Sequence, residues 1–342
     1  MISRRGAIGS VLALGALPSF GFAKANPKWP DATDTGYENA PGYPGRLTPY
    51  NGAPLVADRE YRFIDFRGAT ITVPGVNFYG CRFASNWVEG WNVRLANTGV
   101  TEFRFCTIEP SRIAAPPNAV WPSAGAGENV YGGAVSAYMI GHTMGYQYGI
   151  LQVSGGLLVE DSNIWGFGNA IVLFGSARKT IRRCWIHDAA HEGPGAAYHQ
   201  DGPGHLDGFG CSNVLIEDCV IASLGNTNAI AFQAGTYNNI TVRRNFLSGF
   251  GYCVDMCHGS AGNTSLTFED NIIATDLGWY WGPLYTNFSA NFRKAGSSWS
   301  GNRLRVMKGT RPRVGSNGQF DPTDHYKYVH PNGVYSSTDW TA

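Results

Sequence analysis

One stretch of this chain, residues 187–210, collects side chains that could move protons or hold a cation. It reads HDAAHEGPGAAYHQDGPGHLDGFG and includes four of the eight histidines. Imidazole, carboxyl and phenol groups serve as general acids and bases, and carboxylate oxygens are ligands for Ca²⁺. We therefore predict a functional site here. Its catalytic candidates are Tyr198, His199, Asp201, His205 and Asp207.

The motif His-x-Asp-Gly occurs twice in this stretch, at 199–202 and at 205–208. Residues two apart on a strand share a face, so His205 and Asp207 are expected to point the same way. That pairing suits a carboxylate that orients an imidazole, or two ligands of one cation.

The elements that must position these residues are visible as an internal repeat. Self-similarity at a period of 20–30 residues is typical of a solenoid, and β-rich units with a central small residue favour strand, sharp bend and strand. The clearest copies are LVEDSNI (158–164), TIRRCWI (180–186), LIEDCVI (215–221), TVRRNFL (241–247) and LTFEDNII (266–273). Their apolar anchors, with three further copies, are Phe78, Phe103, Val159, Ile181, Ile216, Val242, Phe268 and Trp299.

The two residues after each anchor carry charges whose sign alternates along the chain. Glu-Asp at 160–161 is followed by Arg-Arg at 182–183, and the alternation continues to Glu-Asp at 269–270. Stacked coils lie about 4.8 Å apart, so each acidic pair is expected between basic pairs, which favours one register by roughly 0.2–1 kcal/mol per pair.

The small residue at each bend forms a second column. Asn tolerates a left-handed backbone and can hydrogen-bond to its copy in the next coil, and Cys packs as a small buried hydrophobe. The column consists of Cys81, Cys106, Ser162, Cys184, Cys219, Asn245, Asn271 and Asn302.

The predicted fold is all-β, a single right-handed parallel β-helix of about eight or nine coils over residues 59–305. The interval of 56 residues from Phe103 to Val159 has room for two coils with a loop. Residues 26–58 are expected to form an irregular lead-in and a cap over the first coil. Residues 306–342 are expected to cap the other end, because solenoid ends need a polar cover.

The step of 35 residues from Ile181 to Ile216 is about ten longer than its neighbours, and the extra residues lie in 187–210. An insertion in one coil tends to mark a binding face. Equivalent strands at 168–175, 227–235 and 252–259 would complete that face. The predicted polar row is Asn169, Asp207, Asn228 and Asp255.

In that row Asp207 and Asp255 would be two coils, or roughly 9.6 Å, apart. Inverting hydrolysis uses carboxyl separations of about 6.5–9.5 Å. His258 is close to Asp255 in sequence and is expected to join the row.

Residues 1–25 resemble a bacterial export signal. Arg4-Arg5 precedes an apolar run, and Ala23-Lys24-Ala25 gives a small-x-small cleavage site. The paired arginines favour the twin-arginine route, so we expect a periplasmic or extracellular protein. The mature chain has no other apolar segment of 18 residues, so we expect no membrane insertion.

Net charge and cysteine content limit the classes of partner and site that the protein can have. The net charge of +1 gives no basic field for nucleic acid. Seven cysteines are an odd number for a disulfide scaffold, although Cys253 and Cys257 could pair or simply pack. The sequence has no Cys and His spacing typical of a zinc site. We expect the protein to be a monomer.

The coil pattern, the Asn column and the His-x-Asp-Gly strand before S-N-V-x-I resemble the pectate-lyase-like superfamily of right-handed parallel β-helix proteins, over about residues 60–305. The resemblance implies the fold and a polysaccharide ligand. The polygalacturonase motifs N-T-D, D-D, G-H-G and R-I-K and the pectate lyase motif R-x-P-x-x-R do not occur. No family's catalytic residues are therefore carried over.

Two functions follow as hypotheses. The first is cleavage of an acidic polysaccharide, either by a lyase with His199 or His205 as base and Tyr198 as acid, or by a hydrolase that pairs Asp207 with Asp201 or Asp255. The second is a non-catalytic carbohydrate-binding or surface protein, or a phage-type spike. A possible Ca²⁺ would bind Asp201, Asp207 and Asp255. The substrate-binding candidates are Arg178, Lys179, His191, Glu192, Tyr237, Tyr252 and His258.

Overall fold

A computed structural model describes residues 29–85, 91–110, 148–189, 201–205, 210–223, 227–256, 263–274, 282–286, 291–292, 294–305 and 340–341. Its strands pair in parallel and form one sheet of 11 strands and another of 15. Each coil passes in turn through three faces, which we number in chain order from the strand that precedes the sharp bend. These stacked coils form a parallel β-helix, as predicted.

Face 1 carries the strand before the bend. Two long strands, β7 (Trp91–Arg104) and β9 (Tyr148–Glu160), start on face 3 and end on face 1, so they join both faces into the larger sheet. The other strands of face 1 are β2 (Glu60–Arg62), β5 (Asn77–Tyr79), β12 (Lys179–Arg182), β15 (Gly210–Glu217), β18 (Thr236–Arg243), β21 (Thr264–Glu269) and β24 (Ser298–Ser300).

Face 2 follows the bend and is the sheet of 11 strands. Its strands are β1 (Thr48–Pro49), β3 (Ile64–Phe66), β6 (Arg82–Ser85), β8 (Thr107–Pro110), β10 (Asn163–Trp165), β13 (Trp185–His187), β16 (Val220–Ser223), β19 (Phe246–Gly249), β22 (Ile272–Ala274), β25 (Arg303–Arg305) and β26 (Trp340–Thr341).

Face 3 closes each coil before the chain returns to face 1. Besides the first halves of β7 and β9, it contains β4 (Ala69–Ile71), β11 (Asn169–Leu173), β14 (Asp201–His205), β17 (Asn228–Phe232), β20 (Tyr252–Met256) and β23 (Gly282–Thr286).

The predicted anchors are stacked in register on face 1. Phe78 pairs with Phe103, Phe103 with Val159, and the pairing continues without a slip to Phe268 and Trp299. Tyr61 adds one coil that the sequence pattern did not reveal. The described part of face 1 therefore has nine coils, which confirms the predicted eight or nine.

A left-handed residue turns the chain from face 1 to face 2 in every coil. Only glycine adopts this backbone freely, and other residues do so at roughly 1–2 kcal/mol each. The turn residues have φ between 50° and 64° and are Phe63, Gly80, Phe105, Asp161, Arg183, Asp218, Arg244, Asp270 and Gly301.

From the second coil onward the residue after the turn forms the predicted column, which is fully buried from Cys81 to Asn271. Asn245 donates from N and Nδ2 to Oδ1 of Asn271, both at 3.0 Å, and Asn271 does the same to Oδ1 of Asn302 at 3.0 and 2.9 Å. Nδ2 of Asn271 donates to the carbonyl of Val242 as well. This ladder ties each bend to the next coil.

The alternating charges meet as predicted. Arg182 pairs in register with Glu160 and Glu217, and Arg243 pairs with Glu217 and Glu269. The guanidinium of Arg182 is 2.7 Å from Glu160, and that of Arg243 is 2.7 Å from Glu217.

The interval from Phe103 to Val159 contains one coil, so the expectation of two coils is wrong. Phe103 and Val159 are direct register partners, and Thr107 pairs with Asn163 on face 2. Because adjacent coils leave no space for another strand, the added length lies between β8 and β9, at residues 111–147, outside the described residues.

The lead-in runs back along the outside of face 2. The ring of Trp29 lies 5.8 Å from that of Phe246, and the amide of Gly36 donates to the carbonyl of Asp161. A 3-10 helix (Tyr37–Asn39) follows, and β1 then pairs with β3 at the first coil. Tyr50 packs on Phe66 at 4.5 Å there, so the segment covers the core end as well as the side.

Candidate functional site

Two long intervals of the solenoid leave at the same corner, between face 2 and face 3. Residues 111–147 connect β8 to β9, and residues 188–200 connect β13 to β14. The coil between them turns this corner with only three residues, 166–168. Face 3 begins immediately beyond this corner.

Asp201 opens face 3 in the interrupted coil. It pairs in register with Asn169, its amide donates to the carbonyl of Gly168 at 2.7 Å, and its carboxylate accepts hydrogen bonds from the amide and side chain of Asn228 at 2.9 and 3.3 Å. The side chain is 4% exposed. The first His-x-Asp-Gly copy thus starts the strand.

The predicted polar row is wrong in two of its four members. The register places Asp201, six residues before Asp207, between Asn169 and Asn228, and it places Tyr252 next to Asn228. The sequence D-G-P-G-H has no alternation of apolar residues that would have fixed the position of this strand. Asp207 itself lies outside the described residues.

Asp255 belongs to a different row. It pairs with Ala231, which pairs with Gly204, so Asp255 is two coils from Asp201 and three residues further along the strand. The two backbones are therefore roughly 14 Å apart, at about 4.8 Å per coil and 3.3 Å per residue. Because the offset along the strand is an odd number of residues, the two side chains point to opposite sides of the sheet. Asp201 and Asp255 therefore do not form the carboxyl pair of an inverting hydrolase or share one Ca²⁺.

Asp255 points out of the barrel. Its neighbours Val254 and Met256 are core residues, and side chains alternate along a strand. On the same outer side Tyr285 pairs with Asp255, and its ring stacks on Tyr252 at 4.8 Å and 13°. Asp255 is 2% exposed and Tyr285 is 37% exposed. The buried Asp255 is therefore the register partner of Tyr285, whose exposed ring stacks on the half-buried ring of Tyr252.

A histidine–aspartate pair that the site prediction missed lies at the end of β13. Nδ1 of His187 is 2.8 Å from the Asp188 carboxylate, and Nε2 is 2.9 Å from Oδ1 of Asn163. The Trp185 ring stacks on the imidazole with centroids 3.4 Å apart. The sequence signal was the adjacent His and Asp at the start of the insertion.

His187 and Asp201 line one small cavity at the corner. The cavity has room only for a water-sized molecule, and most of its wall is apolar. His187 is 5% exposed and Asp188 is 1% exposed. These groups therefore hold the corner together instead of facing an open groove. The wall also includes Ile164, Phe167, Ile186, Ser223 and Phe250.

Two predicted substrate-binding residues lie inside the molecule, where a polysaccharide cannot reach them. Nζ of Lys179 donates to the carbonyls of Gly175, Ala177 and Ser212 at 2.6, 2.8 and 3.1 Å, and burial lowers its pKa. Tyr237 is fully buried and packs on Phe232. Both residues occupy inward positions on their strands, so neither side chain can contact a polysaccharide, although both are chemically suited to it.

The remaining candidates divide into two groups. Arg178 is exposed at the corner between face 3 and face 1, and Tyr252 is half-buried on face 3. His205 ends β14 and pairs with Phe232. Outside the described residues lie Tyr198, His199, Asp207, His191, Glu192 and His258.

No group of three or more His, Cys, Asp or Glu side chains within the described residues could hold a metal ion. None of the described segments forms an apolar helix of membrane-spanning length. No protein-family model, curated protein or solved structure matches the chain.

Proposed function

We propose that the chain is an exported carbohydrate-active protein that cleaves an acidic polysaccharide on the outer side of face 3, next to the insertion at 187–210. The observation that carries the proposal is the outward carboxylate of Asp255 beside the stacked rings of Tyr252 and Tyr285. Exposed aromatic rings offer flat apolar surfaces to sugar rings, and a shielded carboxylate can act as a base or bind a cation.

The fold supports the resemblance to the pectate-lyase-like superfamily. The stacked coils and the Asn column are two of the features on which that resemblance is based. Fold alone does not fix activity. The type of reaction therefore has to be inferred from the residues of the site.

Among the described residues the geometry favours β-elimination over hydrolysis. In elimination a base takes the C5 proton of a uronic acid, the C4–O bond breaks as the C4=C5 double bond forms, and an acid protonates the leaving oxygen. This route needs no second carboxylate at a fixed distance, and the side chain of Asp201 points to the opposite side of the sheet from that of Asp255. Arg178, exposed at the edge of face 3, is a candidate to neutralise the sugar carboxylate.

A screen of the protein without residues 1–25 against acidic and neutral polysaccharides tests the proposal. Ultraviolet absorbance of the new double bond and reducing ends are followed together, with and without Ca²⁺. We expect cleavage of an acidic polymer with ultraviolet-absorbing products. Reducing ends without that absorbance would exclude elimination, and binding without cleavage would exclude catalysis.

Variants then test the site itself. We expect Asp255→Asn to lower kcat by about 100-fold or more if Asp255 acts in proton transfer. Tyr285→Ala should raise KM by about three- to tenfold, the value of one aromatic contact. Asp65→Asn on face 2 and the half-buried Tyr43→Ala are matched controls that should leave both constants unchanged. Equal losses in variants and controls would contradict the assignment.

A binding protein without catalysis is the second candidate. The closed environment of His187, Asp188 and Asp201 favours it, because these potential acid–base groups are engaged in the fold. In that case Tyr285→Ala would weaken glycan retention, and no variant would change the length of the polysaccharide.

The cysteines support the proposed twin-arginine route. Cys81, Cys106, Cys184, Cys211 and Cys219 are buried thiols with no disulfide. Burial raises the pKa of Cys211 to about 12 and that of Cys219 well above its usual range. A chain that folds in the reducing cytoplasm before export would enclose these thiols before they meet an oxidant.

A further inference from the structure

The outer row that contains Asp255 continues along face 3 to the other end of the solenoid. Each member pairs in register with the next, so the row is straight and parallel to the axis. Between Asp255 and Arg94, near the far end, only apolar or small residues occur. In order the row is Tyr285, Asp255, Ala231, Gly204, Val172, Leu151, Arg94 and Thr70.

Arg94 gives this far end a positive charge. Its guanidinium carbon lies 5.4 Å from the ring centre of Trp91, and Trp91 is 46% exposed. Within the described residues no carboxylate pairs with Arg94. The arginines of the charge ladder differ, because Arg182, Arg183 and Arg244 are each held by acidic side chains.

The two ends of the row are separate surfaces. Arg94 and Asp255 are five coils apart, or about 24 Å. Between them Val172 and Ala231 are each only 2% exposed. A ligand that engages both ends must therefore be a long chain that spans about 24 Å and passes outside the covered middle of the row.

We propose that Arg94 and Trp91 form an accessory subsite for a carboxylate-bearing sugar of an acidic polysaccharide, remote from the site around Asp255. This inference rests on the proposed function. A guanidinium can bind a carboxylate through two parallel hydrogen bonds, and an indole ring offers a broad apolar surface to a sugar ring. The subsite would hold long chains at this end of face 3 without taking part in the reaction.

Arg94→Gln tests the subsite, and Arg62→Gln is its matched control. Arg62 is also stacked on an aromatic ring, with its guanidinium carbon 4.4 Å from the centre of Tyr79, but it lies on face 1 and is paired with Glu60. The substrates are the acidic polymer cleaved by the wild type, the same polymer with its carboxylates esterified, and purified trimers of it. Circular dichroism and urea unfolding establish that each variant is folded.

We expect Arg94→Gln to raise KM for the acidic polymer by about tenfold, the value of a lost hydrogen bond to a charged group, with kcat unchanged. The KM for trimers and for the esterified polymer should not change, and Arg62→Gln should resemble the wild type. Trp91→Ala should act like Arg94→Gln, and Trp91→Phe should restore most of the affinity.

Three results would overturn the subsite. They are equal effects of Arg94→Gln and Arg62→Gln, an equal loss with trimers, and a change in kcat. If the wild-type protein neither binds nor cleaves any acidic polymer, the proposed function fails and the subsite fails with it. If it cleaves acidic polymers but Arg94→Gln has no effect, only the subsite is wrong.

Discussion

Individual charged residues at the surface of most proteins contribute little to stability, but Glu160 differs because it is buried among arginines. Its side chain is only 7% exposed and contacts arginines of the same ladder, among them Arg182 at 2.7 Å and Arg183. Burial alone would raise its pKa, but hydrogen bonds from these arginines and their charge outweigh burial, and the pKa is lowered. Charged Glu160 is therefore favoured in the folded state.

Glu160→Gln should lower the free energy of unfolding by about 1–2 kcal/mol at pH 7. Because the folded pKa lies below the unfolded value of about 4.3, this stabilisation is complete above that pH and is lost as pH falls through the folded pKa. Urea unfolding at several pH values measures the difference.

Glu102→Gln is the control for this effect. The Glu102 side chain is 30% exposed and contacts Arg104 at 3.0 Å, so its loss should change stability by less than about 0.5 kcal/mol. A difference between wild type and Glu160→Gln that persists unchanged at pH 3 would show that the ion pairs are not its source.

The bends are the elements that the Asn ladder stabilises. Oδ1 of Asn271 accepts two hydrogen bonds from Asn245 in the interior. Asn271→Ala would leave the backbone N–H of Asn245 buried without this acceptor, and Nδ2 would keep only its hydrogen bond to the carbonyl of Ile216. The substitution should lower the free energy of unfolding by about 2–4 kcal/mol. Urea or thermal unfolding measures this loss.

Cys219→Asn is the matched test in the same column. The amide of Cys184 now donates to Sγ of Cys219 at 3.4 Å, and the amide of Cys219 donates to Oδ1 of Asn245 at 3.0 Å. An asparagine at 219 would extend the ladder by one coil, so stability should rise or change by less than about 1 kcal/mol. A loss as large as that of Asn271→Ala would contradict the ladder's role.

The repeat on face 1 could be read from sequence because one physical demand recurs in every coil. Each coil must bury an apolar anchor such as Ile181, place a small residue such as Cys184 directly after the turn, and match the charges of its neighbours. These demands fix both the residue types in each coil and the spacing between coils. Because every coil of face 1 has to meet them, the pattern reveals the fold.

Face 3 could not be read in the same way. The strand that begins at Asp201 contains two glycines and a proline, and its position is set by pairing with β11 and not by its own pattern. The length of an interval is also a poor guide to the number of coils in it, because a longer loop adds little to the entropic cost of loop closure. The interval 111–147 was for that reason mistaken for another coil.

The molecule as a whole is held together by more than contacts between neighbouring coils. The segment from Trp29 to Tyr43 runs from the coil of Phe246 back to that of Phe63, where the Tyr43 ring packs. These coils are six steps apart, about 29 Å along the axis. Contacts in a solenoid otherwise join only adjacent repeats, so this segment couples coils that would open separately.

Trp29→Ala tests this coupling. Trp29 packs on a cluster outside face 2 that includes Trp185, Val220 and Phe246, so its removal would open the cluster to water. We expect a loss of about 1–3 kcal/mol and faster hydrogen exchange in β13, β16 and β19, with β2 and β5 less affected. The exposed Trp91 is the matched control, and Trp91→Ala should change stability by less than about 0.5 kcal/mol. Uniformly faster exchange along all nine coils would mean that the segment stabilises the molecule globally and does not anchor these coils in particular.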